Sequence, residues 1–313
     1  MNSEMNNRIL VLTEPIVSII VITFNSAKYV LETLESAKAQ TYKNIELIVS
    51  DDCSTDNTIE ICKEWIVANK SRFIRAELIR TVKNTGIPAN CNRGIKYSVG
   101  EWVKLIAGDD ILDKNCILLN MKFVAENPLV KIAISNVVKF KDGVENYSDG
   151  IETRPNLIDL ISGKTDAKVQ YNALLLSYFG NSAAIFISKS VYNEMLYDEN
   201  IPFMEDYPFA LCATKAGYSF NYFNAVTAYY RLSNYSVYGS KSNSLIFNDF
   251  YKKRYQFDLT YRHPNLTRNR EKSEKFEYHR LKTIDYLGLN RNNVFCRILN
   301  GITFRLNPYR YLL

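Results

Sequence analysis

The sequence has few of the residues from which disulfide frameworks and zinc sites are built. Its 313 residues include only 2 histidines and 6 cysteines, and the cysteines are scattered without a C-x-x-C pair. Scattered cysteines among apolar residues fit reduced, buried thiols better than disulfides. A zinc site is disfavoured as well, because no cysteine pair lies near His263 or His279.

Glycine-rich phosphate-binding motifs and long apolar runs are also missing. The first predicted strand is followed by Phe24-Asn25-Ser26-Ala27, and neither G-x-G-x-x-G nor G-x-x-x-x-G-K-[ST] occurs. The longest apolar run, residues 16–24, is far shorter than the roughly 20 residues that span a bilayer. The first fifteen residues lack the pattern of a signal peptide. We therefore expect a protein that stays in the cytoplasm, where it is made.

What the chain does have is the composition of an ordinary globular protein with an uneven charge. Hydrophobic residues make up 47% and charged residues 23% of the chain, which fits one large domain or one domain with an extension. Residues 251–313 hold 14 Lys and Arg against 5 Asp and Glu, a net charge of +9, whereas residues 1–250 hold 25 against 28, a net charge of −3. A basic tail predicts an anionic surface as its partner.

The first 107 residues alternate between strand-like and helix-like segments. Apolar, β-branched runs predict strands, and apolar residues at helical spacing between them predict helices. The predicted strands are 17–24, 45–50, 75–81 and 101–107, and the predicted helices are 29–40, 55–68 and 89–98, with Asn25-Ser26 as an N-cap and Pro88 at a helix start. This alternation predicts an α/β fold with a mostly parallel, doubly wound sheet.

Polar turn residues follow three of the four predicted strands, at positions 23–26, 51–54 and 108–110. The carboxyl ends of parallel strands share one edge of the sheet, so these residues should converge. The adjacent carboxylates of Asp109 and Asp110 are costly at the end of a buried strand unless a cation meets them. They predict a divalent metal that carries a phosphorylated ligand. The alternative, which the turn alone does not exclude, is that one of them caps the next helix.

The second half of the chain is less regular. We expect strands at 130–140 and 183–187, one or two aromatic strands within 218–230, and a helix over 205–217 with acidic residues in its first turn. From about Ser242 the chain is basic and helical, with breaks near Pro264 and Gly288.

Several segments together resemble the ordered signature of the inverting family 2 glycosyltransferases, which have the GT-A fold. The resemblance covers roughly residues 15–240. It rests on residues 17–25 (VSIIVITFN), 48–58 (IVSDDCSTDNT), 84–86 (NTG), 92–94 (NRG), 108–112 (GDDIL), 204–207 (MEDY), 215–218 (KAGY) and 229–231 (YYR).

The resemblance implies a UDP-sugar donor and a metal, Mn²⁺ or Mg²⁺. Asp110 would bind the metal through hard carboxylate oxygens, and Asp109 would contact the ribose or a metal-bound water. The residues implied for the nucleotide-sugar are Thr23, Phe24, Asn25, Asp51, Asp52, Asn84, Gly86, Asn92, Asp109 and Arg231. For Asp51 and Asp52 the alternative is a helix-capping turn, and for Arg231 it is a plain surface arginine.

The chain also departs from the family's pattern. Many relatives have an aspartate where this chain has Ala107 or Gly108, so the resemblance leaves open which carboxylate touches the metal. Many relatives also have a metal-binding histidine where this chain has Ser233. A third protein ligand for the metal is therefore missing or comes from elsewhere.

Asp206 occupies the position of the family's general base, which removes the proton from the attacking acceptor hydroxyl. The helix dipole should lower its pKa, and desolvation in the complex should raise it again. Glu205 would orient the acceptor or act as the base itself. The alternative is that both residues simply provide acidity at a helix start.

The expected organisation is a GT-A catalytic domain over 1–240, with a nucleotide-binding half at about 15–112 and an acceptor-binding half at about 113–240, and a basic helical extension over 241–313. The chain lacks the Q-x-x-R-W motif of processive synthases, so it should add a single sugar to a glycan or lipid-linked glycan. The amphipathic segment 291–313 would either lie on an anionic membrane or pack on the catalytic body.

The leading expectation is thus a metal-assisted sugar transferase of bacterial surface-polysaccharide assembly, in the cytoplasm or on the cytoplasmic face of the inner membrane. A catalytically inactive nucleotide-binding relative and a sugar-nucleotide pyrophosphorylase are the alternatives. No nucleic acid is expected as a partner, because the tail lacks an RNA-binding motif. The sequence leaves the oligomeric state open, a homo-oligomer included.

Overall fold

The computed structural model describes residues 14–143, 147, 150–155, 158, 166–178, 180–232 and 246–312. Within these ranges the strands form one mixed sheet in the order β3-β2-β1-β4-β8-β6-β9-β5, and β7 pairs with β6. The strands are β1 (Val17–Thr23), β2 (Ile45–Asp51), β3 (Arg75–Arg80), β4 (Trp102–Ala107), β5 (Ile111–Leu112), β6 (Ile132–Lys141), β7 (Ile151–Thr153), β8 (Ile185–Ser188) and β9 (Phe220–Leu232). The predicted α/β class with flanking helices is confirmed.

Helices cover both faces of this sheet. They are α1 (Val30–Lys38), α2 (Thr58–Asn69), α3 (Ile87–Tyr97), α4 (Cys116–Glu126), α5 (Ala167–Leu176), α6 (Lys189–Glu194), α7 (Asp206–Lys215), α8 (Asp249–Phe257), α9 (Arg268–Tyr286) and α10 (Val294–Phe304). Alternate residues of β1 point to opposite faces, as the pleat requires. Val17, Ile19 and Val21 join the core formed with α1, α2 and α4, whereas Ile20 joins the core formed with α3, α5 and α7.

The parallel part of the sheet brings the carboxyl ends of β1, β2 and β4 to one edge. The register pairs Thr23 of β1 with Asp51 of β2, and Ile22 of β1 with Ala107 of β4. The predicted convergence of the polar strand ends is therefore confirmed. The expected N-cap at Asn25-Ser26 is wrong, because α1 begins at Val30 after Tyr29 and has no side-chain cap. Pro88 does lie in the first turn of α3, as expected.

The second half of the sheet mixes strand directions. β8 is antiparallel to β4 and β6, β9 is parallel to β6, and β5 is antiparallel to β9. The aromatic segment expected as one or two strands is one strand of 13 residues. β5 could not be predicted from the sequence, because its two residues are too few to show a period. This short strand fixes the turn before it against β9.

The C-terminal helices pack on the body of the protein through α8 and the turns that follow it. The ring of Phe257 lies 5.0 Å from that of Tyr207 on α7, and Arg262 donates from Nε to the Leu175 carbonyl oxygen at 2.8 Å. Arg262 is also paired with Asp258 and Glu274 at 2.8 and 2.9 Å. The breaks predicted near Pro264 and Gly288 are present as a 3₁₀ turn and a left-handed glycine. In the ranges the structure describes, no helix has the length and apolarity needed to cross a bilayer.

Candidate functional site

The loops after β1 and β2 are joined to each other by side-chain hydrogen bonds. Asn25 has a left-handed φ of 51°, and its Oδ1 accepts from the Thr55 backbone N–H at 2.8 Å, while its own N–H donates to Ser54 Oγ at 2.8 Å. The Asp51 carboxylate accepts from Thr23 Oγ1 at 2.9 Å and from the Ser54 N–H at 2.9 Å. Asp51 therefore serves to shape this edge, and the half-exposed ring of Phe24 lies on it.

The neighbouring carboxylate, Asp52, is buried and fully bonded within the protein. It accepts from the Thr85 N–H and Oγ1 at 2.9 and 2.6 Å, from the Gly86 N–H at 2.8 Å, and from Arg93 Nη2 at 3.0 Å. A carboxylate has about four acceptor sites, so a nucleotide contact to Asp52 would share or displace one of these partners. The side chain of Asn84 is exposed and accepts from the Gly86 N–H at 3.1 Å.

The loop that holds Asp52 also touches the segment that leads to Glu205. Gly86 has φ of +90°, and a Cβ on it would lie 2.7 Å from Pro202 Cβ. The Ile87 N–H donates to the Pro202 carbonyl oxygen at 3.1 Å. The amide of Asn92 is bonded to the same region, to the Tyr197 backbone and to Glu199. Asn92 thus fastens α3 to this segment.

The turn after β4 packs directly on the turn after β1. A Cβ on Gly108 would lie 2.9 Å from Thr23 Cγ2 and 3.1 Å from Ser26 Oγ, so only glycine allows this approach. Thr33 of α1 donates from Oγ1 to the Asp110 carbonyl oxygen at 2.7 Å. The next residues form β5, and α4 begins later, after Asn115. The helix-cap alternative for Asp109 and Asp110 is therefore wrong.

Arg231 of β9 fixes this acidic turn from the other side. Its backbone N–H donates to Asp110 Oδ1 at 2.9 Å, and its Nε donates to the Asp109 carbonyl oxygen at 2.8 Å. The rest of the guanidinium is paired with Glu32 at 2.8 Å and Asp142 at 3.0 Å. The side chain is 5% exposed, so the alternative of a plain surface arginine is wrong.

The acidic turn has the chemistry of a cation site. Burial raises the pKa of Asp109, and burial together with the charge of Asp109 raises the pKa of Asp110 well above its usual range. Among the described residues no Lys or Arg side chain forms an ion pair with either carboxylate, since Arg231 is paired elsewhere. No group of three or more His, Cys, Asp or Glu residues forms a metal site in that part of the chain. A divalent cation would fit Asp110 and Asp109 and complete its shell with ligand and water oxygens. Ser233 lies outside the described residues.

Glu205 and Asp206 form a second acidic pair at the start of α7. Burial, and next the charge of Asp206, raise the pKa of Glu205 to about 8. Burial also raises the pKa of Asp206, although the Tyr178 hydroxyl beside it opposes that shift. The expected lowering of the Asp206 pKa by the helix dipole is therefore wrong for the free protein, because burial dominates there. Each carboxyl is thereby closer in pKa to a hydroxyl whose proton it would take.

The two sides of the site meet at Cys91 of α3. Its buried thiol has a raised pKa, first through burial and then through the charges of Glu205, Asp206 and Asp52. The adjacent residues Glu205 and Asp206 and the sequence-distant Asp52 are thus all near enough to Cys91 for their charges to act on its thiol. Cys91 is thus the point at which the loop around Asp52 comes close to the acidic pair Glu205–Asp206.

A groove of about 320 Å³ opens beside this edge, between β6, β7 and the segment before β8. Lys139, Thr153, Arg154 and Asn181 are among the residues that line it. The next residue, Ser182, hydrogen-bonds Glu205. On the opposite wall, Lys139 stands in register with Tyr230, the neighbour of Arg231. One wall of the groove is therefore next to Ser182, which bonds Glu205, and the other belongs to β6, which pairs with the strand that carries Arg231.

Comparison with known families shows which family the chain belongs to. Residues 18–194, more than half of the chain, match the family described as "Glycosyl transferase family 2". The chain belongs to glycosyltransferase family 2. It is therefore a glycosyltransferase, and its GT-A fold and its use of a nucleotide-sugar donor agree with the site just described.

Similar proteins include other bacterial glycosyltransferases. An uncharacterized glycosyltransferase of Haemophilus influenzae is 28% identical over 242 residues, which cover 76% of this chain and 89% of that protein. The Escherichia coli protein WfaP, named UDP-Glc:alpha-D-GlcNAc-diphosphoundecaprenol beta-1,3-glucosyltransferase, is 28% identical over 233 residues, 74% of this chain and 83% of WfaP.

Solved structures share the fold of this glycosyltransferase. Staphylococcus aureus TarS 1–349 in complex with UDP-GlcNAc superposes with a TM-score of 0.57 at 20% identity, covering 82% of this chain and 70% of TarS. The mannosyltransferase PcManGT of Pyrobaculum calidifontis, in complex with GDP-Man and Mn²⁺, superposes with a TM-score of 0.57 at 16% identity over 81% of this chain and 64% of that one.

Some residues that shape the site of this transferase carried only weak signals in the sequence. Arg93 lies within a recognised motif, but its pairing with Asp52 depends on the approach of α3 to β2. Lys104 interrupts the apolar run of β4, and its fully buried ammonium donates to the carbonyl oxygens of Ala183 and Ile185 at 2.5 and 3.3 Å. It thereby holds the segment that carries Ser182. A lysine within a buried strand is the signal that could have identified it.

Proposed function

We propose that this glycosyltransferase moves a single sugar from a UDP-sugar to a hydroxyl group of a glycan or lipid-linked glycan, with inversion at the anomeric carbon. The observation that carries the proposal is the acidic turn Asp109-Asp110, in which Asp110 is buried and Asp109 is partly buried. Burial raises the pKa of both carboxyls, the charge of Arg231 only partly opposes this, and among the described residues neither forms an ion pair with a Lys or Arg side chain. The turn lies at the sheet edge where the β1 and β2 loops also end.

The donor is assigned to the edge formed by the loops after β1, β2 and β4. Support comes from TarS, which was solved with UDP and with UDP-GlcNAc, and from WfaP, whose name specifies UDP-Glc. We assign direct contacts to Thr23–Asn25, Asp52 and Asp109. Asp51, Asn84, Gly86, Asn92 and Arg231 act through the loops and turns that their hydrogen bonds hold in place.

The metal is assigned to Asp110, with Asp109 beside it. PcManGT was solved with Mn²⁺ and GDP-Man, which supports a divalent ion in this fold. A bound Mn²⁺ or Mg²⁺ would supply positive charge against the departing diphosphate. With two protein carboxylates as the ligands on offer, affinity for the ion should be low until donor phosphate oxygens complete its shell.

The Asp206 carboxylate is the proposed general base. It takes the proton from the acceptor hydroxyl as that oxygen attacks the anomeric carbon and the bond to the diphosphate breaks. Glu205, whose pKa is raised to about 8, keeps its proton at neutral pH in this proposal and offers that proton to the acceptor, while it still accepts a hydrogen bond from Ser182. Glu205 thus orients the acceptor while Asp206 carries the negative charge that the reaction needs.

The acceptor is assigned to the groove between β6, β7 and the segment before β8. Its two cationic side chains, Lys139 and Arg154, would favour an acceptor that carries phosphate. WfaP is named for a diphosphoundecaprenol-linked acceptor, which is of that kind. We therefore propose a lipid-linked acceptor and a role in bacterial surface-polysaccharide assembly, such as O-antigen or capsule, on the cytoplasmic face of the inner membrane. In these terms residues 15–112 form the donor half, residues 113–240 the acceptor half, and residues 241–313 the extension.

The test is a donor screen. UDP release is measured from a panel of UDP-sugars with Mn²⁺, with Mg²⁺ and with EDTA, each with and without a diphosphate-linked acceptor. We expect one donor to be used, a loss of turnover in EDTA, and a product of inverted anomeric configuration. Donor binding without turnover for any sugar would support the inactive relative. Formation of UDP-sugar from UTP and a sugar phosphate would support the pyrophosphorylase.

A further inference from the structure

Helix α10 presents an apolar face to solvent. Val294, Phe295, Ile298 and Ile302 are 72, 66, 58 and 55% exposed, and Leu306 just after the helix is 66% exposed. Their spacing of three, four and seven residues places them along one side of a helix. A surface helix normally directs its polar side outward, so this orientation calls for a partner.

The opposite side of α10 is what fixes the helix to the protein. Cys296 is buried, and Arg280 of α9 donates from Nη1 to Thr303 Oγ1 at 2.6 Å. Beyond the helix, Asn307 donates from Nδ2 to the Ser273 carbonyl oxygen and Oγ at 3.0 Å. The helix is therefore held by its polar side, and its apolar side is directed away from the body.

The charged side chains of the segment that carries this face all have one sign. Residues 286–312 contain four arginines, Arg291, Arg297, Arg305 and Arg310, and no Asp, Glu or Lys. Arg291 precedes the helix and Arg305 follows it at the C-cap, so these two arginines flank the ends of the apolar face, and Arg297 lies within the helix. An apolar stripe bordered by arginines is the pattern of a helix that lies in the interface of an anionic bilayer. A second copy of this chain would bring arginines against arginines, which disfavours it.

We propose that α10 is an interfacial helix that docks this protein on an anionic lipid bilayer. Val294, Phe295, Ile298, Ile302 and Leu306 enter the boundary between headgroups and acyl chains, and the arginines contact lipid phosphates. The sequence left open whether the extension contacts a membrane or packs on the body, and we assign the two roles to different parts of it. Residues 249–286 pack on the body, and α10 is carried by them as a docking surface. This proposal does not depend on the identity of the donor or on turnover.

The test is flotation of the full chain with vesicles of phosphatidylcholine alone and of phosphatidylcholine with 30% phosphatidylglycerol. We expect binding to the anionic vesicles, weaker binding at 0.5 M NaCl, and little binding to the neutral ones. The triple variant Phe295→Gln, Ile298→Gln, Ile302→Gln should bind at least about tenfold more weakly, because it removes apolar burial. The pair Arg291→Gln, Arg305→Gln should lose binding mainly at low salt.

The matched control is Leu129→Gln, which changes a side chain that is 95% exposed elsewhere on the surface. It should bind like the unmodified protein. All the changed side chains are exposed, so the variants should keep their melting temperature. Equal binding of the triple variant and the unmodified chain would overturn the proposal. So would an absence of vesicle binding together with a dimer in light scattering that the triple variant abolishes, since α10 would then contact a second copy.

Discussion

The acidic residues of the site are of two kinds. Asp51 and Asp52 have their oxygens bonded by backbone and side-chain donors of the neighbouring loops. Asp109, Asp110, Glu205 and Asp206 instead have pKa values raised by burial. Asp51 and Asp52 hold the loops of the site in place. The carboxylates of the second kind are stabilised as anions only when a cation or a hydrogen-bond donor binds them. We therefore propose that the catalytic roles belong to the second kind.

Asp206→Asn should abolish transfer while leaving the fold and the donor site intact. We expect at least a 100-fold lower rate constant for sugar transfer, because general base catalysis contributes roughly 10²–10⁴. UDP affinity should change by less than about twofold, a small change in binding free energy. Single-turnover transfer and calorimetric UDP titration measure the two quantities. Glu205→Gln is the control and should retain more activity; the reverse order would make Glu205 the base.

The pH dependence of transfer should report the Glu205–Asp206 pair. Asp206 is the proposed base and Glu205 keeps its proton to orient the acceptor, so the rate should fall as pH rises through about 8, where Glu205 loses that proton. Glu205→Gln keeps a hydrogen-bond donor that does not titrate, so this fall should be absent in the variant. A profile that is flat between pH 6 and 9 in both proteins would contradict the assignment.

Stability should change with pH for the same reason. A carboxyl whose pKa is raised in the folded state contributes stability that is fully present below its unfolded pKa, and that contribution is lost as pH rises through about 8. The melting temperature of the unmodified protein should therefore fall, relative to that of Glu205→Gln, between pH 6 and 9. Thermal denaturation of both proteins at several pH values measures this difference.

At the scale of elements, the site is assembled by loops that touch one another. The loop before α3 binds Asp52 and packs on Pro202, and the turn after β4 packs on the turn after β1 through Gly108. These close approaches connect the donor side with the segment that carries Glu205. A change at either glycine should therefore affect function as well as stability.

Gly86→Ala should disturb this connection, and Gly217→Ala provides the matched control. Both glycines have a left-handed φ, of +90° and +98°, so both changes carry similar backbone strain of about 1–3 kcal/mol. Only Gly86 has a neighbour in the way, Pro202, whereas a Cβ on Gly217 meets nothing within 4 Å. We expect Gly86→Ala to lose about 1–3 kcal/mol more in unfolding free energy and to lower kcat/KM. Equal effects in denaturant titration would show that the contact with Pro202 is dispensable.

Arg231→Gln should loosen the acidic turn from β9. The arginine is 5% exposed, but Glu32 and Asp142 are each 43% exposed and can be solvated when it is removed, so we expect a loss of about 2 kcal/mol. The Mn²⁺ concentration for half-maximal transfer should rise, because the backbone around Asp109 is held through Arg231 Nε. Arg268→Gln changes an exposed arginine and should alter neither quantity.

The elements near the amino end could be predicted from sequence because local signals and tertiary structure agree there. β1 and β2 are continuous apolar runs, and polar turns follow them. The pairing of β5 with β9 could not be predicted, since Ile111 and Leu112 show no period. The burial of Arg231 follows from that pairing, so its surroundings were unpredictable too. The effect of the helix dipole on Asp206 could be inferred from its position at a helix start. The burial that raises its pKa could not be inferred, because it depends on tertiary packing.

At the scale of the whole molecule, the basic extension is part of the folded body as far as α9. Phe257 and Arg262 pack on Tyr207 and Leu175, next to the proposed base. Removing the whole extension after residue 250 would therefore remove core contacts as well as α10. A chain shortened in this way could not show whether α10 itself binds membranes. The variants in α10 avoid that difficulty.

Truncation should separate these two parts of the extension. A chain ending at residue 245 loses the Phe257 packing and should melt roughly 10 °C lower or fail to remain in solution, since removing a buried aromatic costs about 3–5 kcal/mol. A chain ending at residue 290 keeps α8 and α9 and should melt within a few degrees of the full chain. Differential scanning fluorimetry measures the melting temperatures. If the chain ending at residue 245 melts at the same temperature as the full chain, the extension does not stabilise the catalytic body.

The single sheet constrains how such an enzyme can exchange parts in evolution. β4 of the proposed donor half is bonded directly to β8 of the proposed acceptor half, with Val103 opposite Ile187. A chimera formed by recombination near residue 112 would have to keep the pairing of β4 with β8. It would also have to keep the bonds from Lys104 to its two carbonyl partners. Hybrid enzymes joined there should seldom fold. We therefore expect acceptor preference to be inherited together with the proposed donor half, and new specificities to arise by substitution along the proposed acceptor groove.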